Sequence, residues 1–156
     1  MYKKVLVPLD GSELAECALS HVKNLVKEGA EGEVILLNVV NVSFTIASNL
    51  MGEVNDIIDN NAIRKDLFIK SRKYLENVAS RLTSEGIKVK TESREGSDPA
   101  GGTVSDYAQK NGVDLIVIAT HGYTGLKKMM LGSVALGILH ESHIPVLLIR
   151  PESCRM

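Results

Sequence analysis

Leu115-Ile116-Val117-Ile118-Ala119-Thr120-His121-Gly122 opens the stretch that decides the architecture, and Leu131-Gly132-Ser133-Val134-Ala135 closes it. Its first five residues are a continuous apolar run of strand length, the pattern of a parallel strand buried on both faces. The run breaks at Thr120-His121-Gly122, and residues 123–131 separate Gly122 from the pair Gly132-Ser133. Val134, Ala135, Ile138 and Leu139 then recur at helical spacing. Strand, glycine loop and glycine-serine at a helix start form an arrangement that can hold a phosphate. The first turn of a helix carries N–H groups without internal partners, and the macrodipole places about half a positive charge there. Glycine lets the backbone approach an anion because no Cβ intervenes. A plainer reading also fits: Gly122 ends a strand, Gly132 makes a turn and Ser133 caps a helix.

Working outward, Lys3 to Leu9 holds the apolar run Val5-Leu6-Val7 and ends in Pro8-Leu9-Asp10-Gly11-Ser12. Proline at a strand end avoids the loss of a central ladder bond. Ser12 followed by Glu13 predicts a helix start, and Leu14, Ala18, Leu19, Val22, Leu25 and Val26 carry one apolar face to about Gly29. Val34 to Val40 is a second buried strand. Asn41 to about Asn61 is irregular and longer than a usual connection. A helix follows with Leu67, Ser71, Leu75, Val78 and Leu82 facing inward. Ile87 to Glu95 alternates as a strand with one wet face near a sheet edge. Ser97-Asp98-Pro99 reads as a helix start with proline in the first turn, leading to Val104, Tyr107 and Ala108. His143-Ile144-Pro145 stops the last helix, and Val146 to Ile149 is the fifth strand. Strands alternating with helices predict a parallel sheet covered on both faces, doubly wound, with ligand at the carboxyl ends of the strands.

Composition narrows the function classes. The chain has 156 residues, 44% hydrophobic and 24% charged, with a formal net charge of −1. That balance offers no global field for nucleic acid or an anionic membrane. No apolar run approaches the roughly 20 residues that span a bilayer, and the N-terminus lacks the apolar length of a secretory signal, so a cytoplasmic location is expected. Cys17 and Cys154 are the only cysteines; their spacing implies neither a zinc site nor a disulfide framework.

Val5-Leu6-Val7-Pro8-Leu9-Asp10-Gly11-Ser12, Asp98-Pro99-Ala100, Gly112 to Val117, Thr120-His121-Gly122, Leu131 to Val134 and Pro145 to Ile149 together resemble the universal stress protein family. The likeness covers the chain except about residues 41–65, which stand as a variable loop or arm within a single domain over 1–156. It implies a doubly wound five-stranded sheet in the order 3-2-1-4-5 and a homodimer paired through the last strand, Val146–Ile149. The nucleotide-binding branch carries glycine, two residues, glycine, nine residues, then glycine with serine or threonine. Gly122, Gly132 and Ser133 match, while Ala119 stands where the first glycine is expected. At negative φ that alanine is tolerated; at positive φ it costs more than about 1 kcal/mol.

Carried onto this chain, the resemblance puts adenine against Pro8, Leu9 and the backbone near Val39, with Asp10 at the ribose or base edge and Ile118-Ala119 beneath the ribose. His121 belongs to the same loop. Gly122, Gly132, Ser133, Val134 and Ala135 would hold the phosphates. The implied ligand is ATP, with AMP or ADP as variants, and Mg²⁺ or Mn²⁺ accompanying the phosphates rather than held by protein alone. Three functions compete: an ATP-dependent regulatory module of the stress response with a protein partner, a member without nucleotide acting through dimerisation, and a slow ATPase. The sequence speaks against the last, having no G-x-x-x-x-G-K-[ST] loop and no nucleophile with a supporting acid around His121.

Overall fold

The computed structural model describes residues 2–27, 32–43, 60–97, 99–120 and 131–150. In chain order the elements are β1 (Lys4–Pro8), α1 (Glu13–Glu16), α2 (Ala18–Lys27), β2 (Glu33–Val40), α3 (Asn60–Ser84), β3 (Lys88–Glu95), α4 (Gly101–Lys110), β4 (Leu115–Ala119), α5 (Ser133–Glu141) and β5 (Val146–Ile149). The five strands make one sheet in the order β3-β2-β1-β4-β5, and every pairing is parallel. This is the doubly wound order, reversing direction between β1 and β4.

Strand alternation sorts the core into two layers. Val5, Val7, Val34, Leu36, Leu115 and Val117 pack with Val22 of α2 and Leu75, Val78 and Leu82 of α3. Leu6, Ile35, Leu37, Ile116 and Ile118 pack on the other side with Val104 and Ala108 of α4 and Ile138 of α5. Each fully buried aliphatic side chain contributes on the order of 1.5–3 kcal/mol, which is why residues 5–9, 34–37 and 115–119 read as apolar runs. β3 lies at one edge and carries Lys88, Lys90, Arg94 and Glu95 on exposed positions, charges that discourage pairing with another strand.

Several expectations need correction. The first helix is two pieces, because α1 closes at Cys17 before α2 begins; Leu14 and Leu25 are consequently turned outward, each 37% exposed. α4 begins at Gly101 with Ala100 as its N-cap and no side-chain cap bond, so Pro99 precedes the helix instead of opening it. Leu139 is exposed, together with Leu136. Cys17 is disulfide-bonded, a bond that the spacing of two isolated cysteines does not reveal. The irregular segment 44–59 lies outside the described residues.

α4 and α5 cross at unusually close range. A Cβ built on Gly101 would lie 2.9 Å from the backbone of Gly137, whereas one on Gly137 would meet Gly101 Cα at 3.3 Å, so this approach demands glycine at 101 above all. This crossing matters for the site, because both helices border it.

Candidate functional site

The cleft opens where β1 stops. Leu9 N–H donates to the Leu37 carbonyl at 2.8 Å, the last bond of the β1–β2 ladder on that side. The chain then turns through Asp10 and Gly11, whose φ of 88° suits glycine. Asp10 Oδ1 accepts from Ser12 N–H at 2.9 Å and from the Ser12 hydroxyl at 2.6 Å, and Ser12 Oγ in turn accepts from Ala15 N–H at 3.1 Å. Asp10 therefore fixes the turn that starts α1 while also lining the cleft.

β2 runs on past the end of β1. Glu33 N–H bonds Lys3 and Leu37 C=O bonds Leu9, whereas Val40 C=O accepts from Gly96 beyond β3. The alternation of parallel strands thus turns the odd residues of β2 toward β1 and the even ones toward β3. At Val39 the main-chain donor and acceptor point past the end of β1, at the level where β1 has bent away. The Leu9 carbonyl, which a continued ladder would pair with Val39 N–H, accepts instead from Asn38 Nδ2 at 2.8 Å.

β4 supplies the floor with Ile118 and Ala119. Ala119 pairs with Ile149 in the sheet, so its backbone is extended and the alanine is unstrained where the motif has glycine. Immediately after it, Thr120 N–H bonds the Ile149 carbonyl at 2.8 Å, and the Thr120 carbonyl accepts from Gly132 N–H at 2.7 Å. That second bond brings together the two ends of the glycine connection. His121, Gly122 and the rest of the connection to 130 lie outside the described residues.

α5 begins at this junction. Gly132 is its N-cap, with φ −61° and ψ 152°, and no side chain caps it. Ser133 is the first helical residue and not the cap. The contrast with α1, capped by Ser12, is direct: among the described residues no side chain caps the first-turn N–H groups of Ser133, Val134 and Ala135, which border the cleft. Gly132 through Ala135 all line the cleft, as do Pro8, Leu9 and Val39. The space enclosed is about 200 Å³. Its walls are mostly apolar where the strands end and rich in backbone donors at α5, an arrangement that suits a flat ring joined to an anion.

Leu37, Val104, Ala100, Ala15 and Thr120 also line the cleft and were missed from sequence. Leu37 was within reach, two residues before Val39 and hence on the same strand face. The other four depend on how α1, α4 and the β4 end pack. Nearby, Tyr74 donates to Glu16 Oε1 at 3.0 Å; burial, then the negative charges of Glu16 and Asp10, push its phenol pKa upward. Among the described residues no cluster of His, Cys, Asp and Glu could hold a metal ion.

Over residues 1–150 the sequence matches the model of the universal stress protein family. The chain belongs to that family. It is 35% identical to universal stress protein MJ0577 of Methanocaldococcus jannaschii, covering 98% of both chains. It is also 35% identical to universal stress protein YxiE of Bacillus subtilis, over 96% of this chain and all of that one. The solved MJ0577 structure superposes with a TM-score of 0.81 at 34% identity, covering 96% of each chain. A universal stress protein from Arabidopsis thaliana, solved with AMP bound, shares the fold at a TM-score of 0.64 and 17% identity, covering 95% of this chain and 91% of that one. No described helix of this universal stress protein is long and apolar enough to cross a membrane.

Proposed function

We propose that this universal stress protein binds ATP, or alternatively AMP or ADP, in the cleft between β1, β4 and α5. It acts as a cytoplasmic regulatory module whose conformation or partner choice follows the bound nucleotide. The observation that carries the reading is the uncapped start of α5, held beside the β4 end by the Gly132–Thr120 bond. Backbone donors there meet phosphate oxygens, each charged hydrogen bond contributing around 1.5–3 kcal/mol. The Val39 main chain meets the purine edge, Asp10 meets the ribose, and Pro8, Leu9, Ile118 and Ala119 enclose the rings. The family motif adds Gly122 and His121 to this set, both outside the described residues. Mg²⁺ or Mn²⁺ arrives with the triphosphate and is held chiefly by phosphate oxygens and water, as the donor set suits. The AMP carried by the Arabidopsis relative supports the ligand class.

The same reading makes the protein a homodimer through β5. Val146, Leu147 and Leu148 of this edge strand are only half-buried, and Leu136 and Leu139 of α5 are 46% and 45% exposed. An unpaired apolar edge of this kind calls for a cover. The test is equilibrium titration with labelled ATP and Mg²⁺. Saturable binding at micromolar ligand, weakened by Gly132→Val, is expected; binding absent at millimolar ATP removes the nucleotide reading.

A further inference from the structure

The inward row of β2 is Val34, Leu36, Asn38 and Val40, and only Asn38 is polar. On α3 the buried row is Ser71, Leu75, Val78 and Leu82, and only Ser71 is polar. On β3 the residue of the same face and level is Ser93. These three polar side chains, each from a different element, meet at one point. Ser71 Oγ donates to Asn38 Oδ1 at 2.7 Å, and Ser71 Oγ and Ser93 Oγ are also 2.7 Å apart. A serine hydroxyl has one hydrogen. Since Ser71 gives its own to the amide oxygen, Ser93 must be the donor to Ser71. The chain of bonds therefore has a direction: Ser93 to Ser71, Ser71 to Asn38, and Asn38 Nδ2 to the Leu9 carbonyl at 2.8 Å.

Polar groups placed in apolar rows carry a desolvation cost unless paired, so their convergence requires a reason at that level of the sheet. The reason is the Leu9 carbonyl, left without a ladder donor where β1 ends. We propose that Asn38 is a positioning residue for the cleft: oriented from behind by Ser71 and Ser93, its amide pins the Leu9 carbonyl and thereby the turn that carries Asp10. By taking that carbonyl it also leaves the Val39 N–H facing the cleft instead of closing the ladder. The functional consequence rests on the nucleotide reading above. Bonds in such a chain polarise one another, so loosening Ser71, which lies across the sheet from the ring-enclosing side, is felt at Asp10.

The experiment measures ATP affinity and urea stability for the wild type, Asn38→Ala, Ser71→Ala, Ser71→Thr and the Asn38→Ala/Ser71→Ala double variant. Asn38→Ala is expected to weaken ATP by about tenfold, the loss of one net hydrogen bond. Ser71→Ala weakens it by roughly 2- to 3-fold through loss of orientation, and Ser71→Thr restores it by keeping the hydroxyl. The double variant binds no worse than Asn38→Ala alone, because Ser71 acts only through Asn38. If Asn38→Ala fails to fold, the Ser71 pair decides. Wild-type binding with affinity unmoved in Asn38→Ala or Ser71→Ala, whatever the stability change, overturns the positioning role alone, as does strict additivity of the two losses. A wild type that binds no ATP overturns the nucleotide reading and the positioning role with it.

Discussion

Gly101→Ala tests the crossing that sets the width of the cleft. The added Cβ would stand 2.9 Å from the Cα and carbonyl carbon of Gly137 and 3.0 Å from Ile138 N, all backbone atoms. No side chain can rotate out of the way, so α4 and α5 must move apart. Overpacking of this kind costs typically about 1–3 kcal/mol. Helix propensity returns at most about 1 kcal/mol, and less in a first turn. The expected net loss is about 1–2 kcal/mol, or roughly 2–8 °C in Tm for a chain of this size. The reciprocal change is milder. A Cβ on Gly137 would meet Gly101 Cα at 3.3 Å, a contact relieved by a few tenths of an ångström, and the helix interior gains the full propensity. Gly137→Ala should therefore lie within about 1 kcal/mol of wild type. Urea unfolding with unchanged m-values reads both. Because Ala100 and Val104 on one side and Ser133 to Ala135 on the other line the cleft, Gly101→Ala should also weaken ATP. A Gly101→Ala protein as stable as wild type, or a reversed order of the two variants, would refute the packing argument.

Ala119→Gly completes the glycine motif at a residue already extended in β4; it should lower stability by about 0.5–1 kcal/mol and leave ATP affinity the same or slightly higher, as read by paired denaturation and titration. The Tyr107 hydroxyl is buried without a hydrogen-bond partner among the described residues, so Tyr107→Phe should leave stability unchanged or raise it by up to about 1 kcal/mol; a loss of more than about 1 kcal/mol in urea unfolding counts against the assignment. Tyr74 has a phenol pKa raised by burial and by Glu16. Below the ordinary tyrosine value, about 10, both folded and unfolded states keep the proton. Above it the unfolded chain releases the proton first, so stability falls as pH rises beyond about 10, and Tyr74→Phe should flatten that fall in urea midpoints taken across the range.

The architecture was legible because β1, β2 and β4 are buried on both faces and so carry long apolar runs, and because β3 alternates at an edge. At the strand ends, Pro8, Leu9, Val39, Ile118 and Ala119 were named through the family resemblance, and they line the cleft where those strands end. What local pattern could not supply came from packing. The break at Cys17 follows a capped single turn that periodicity alone reads as continuous helix. α4 starts at Gly101, where it meets Gly137, a residue 36 positions away in the chain. Val104 lines the cleft from α4, a position set by helix packing. Asn38 read as one polar residue in a buried strand, and its partners Ser71 and Ser93 become neighbours only when three elements are assembled.

Backbone amide NMR of the protein with and without saturating ATP and Mg²⁺ is the most direct test of the nucleotide cleft. The account predicts the largest shift changes at Val39, at Asp10, and at the first-turn amides of Ser133, Val134 and Ala135, with the far ends of β3 and α3 unmoved. Changes confined to other surfaces, or no changes at millimolar ATP, would contradict it.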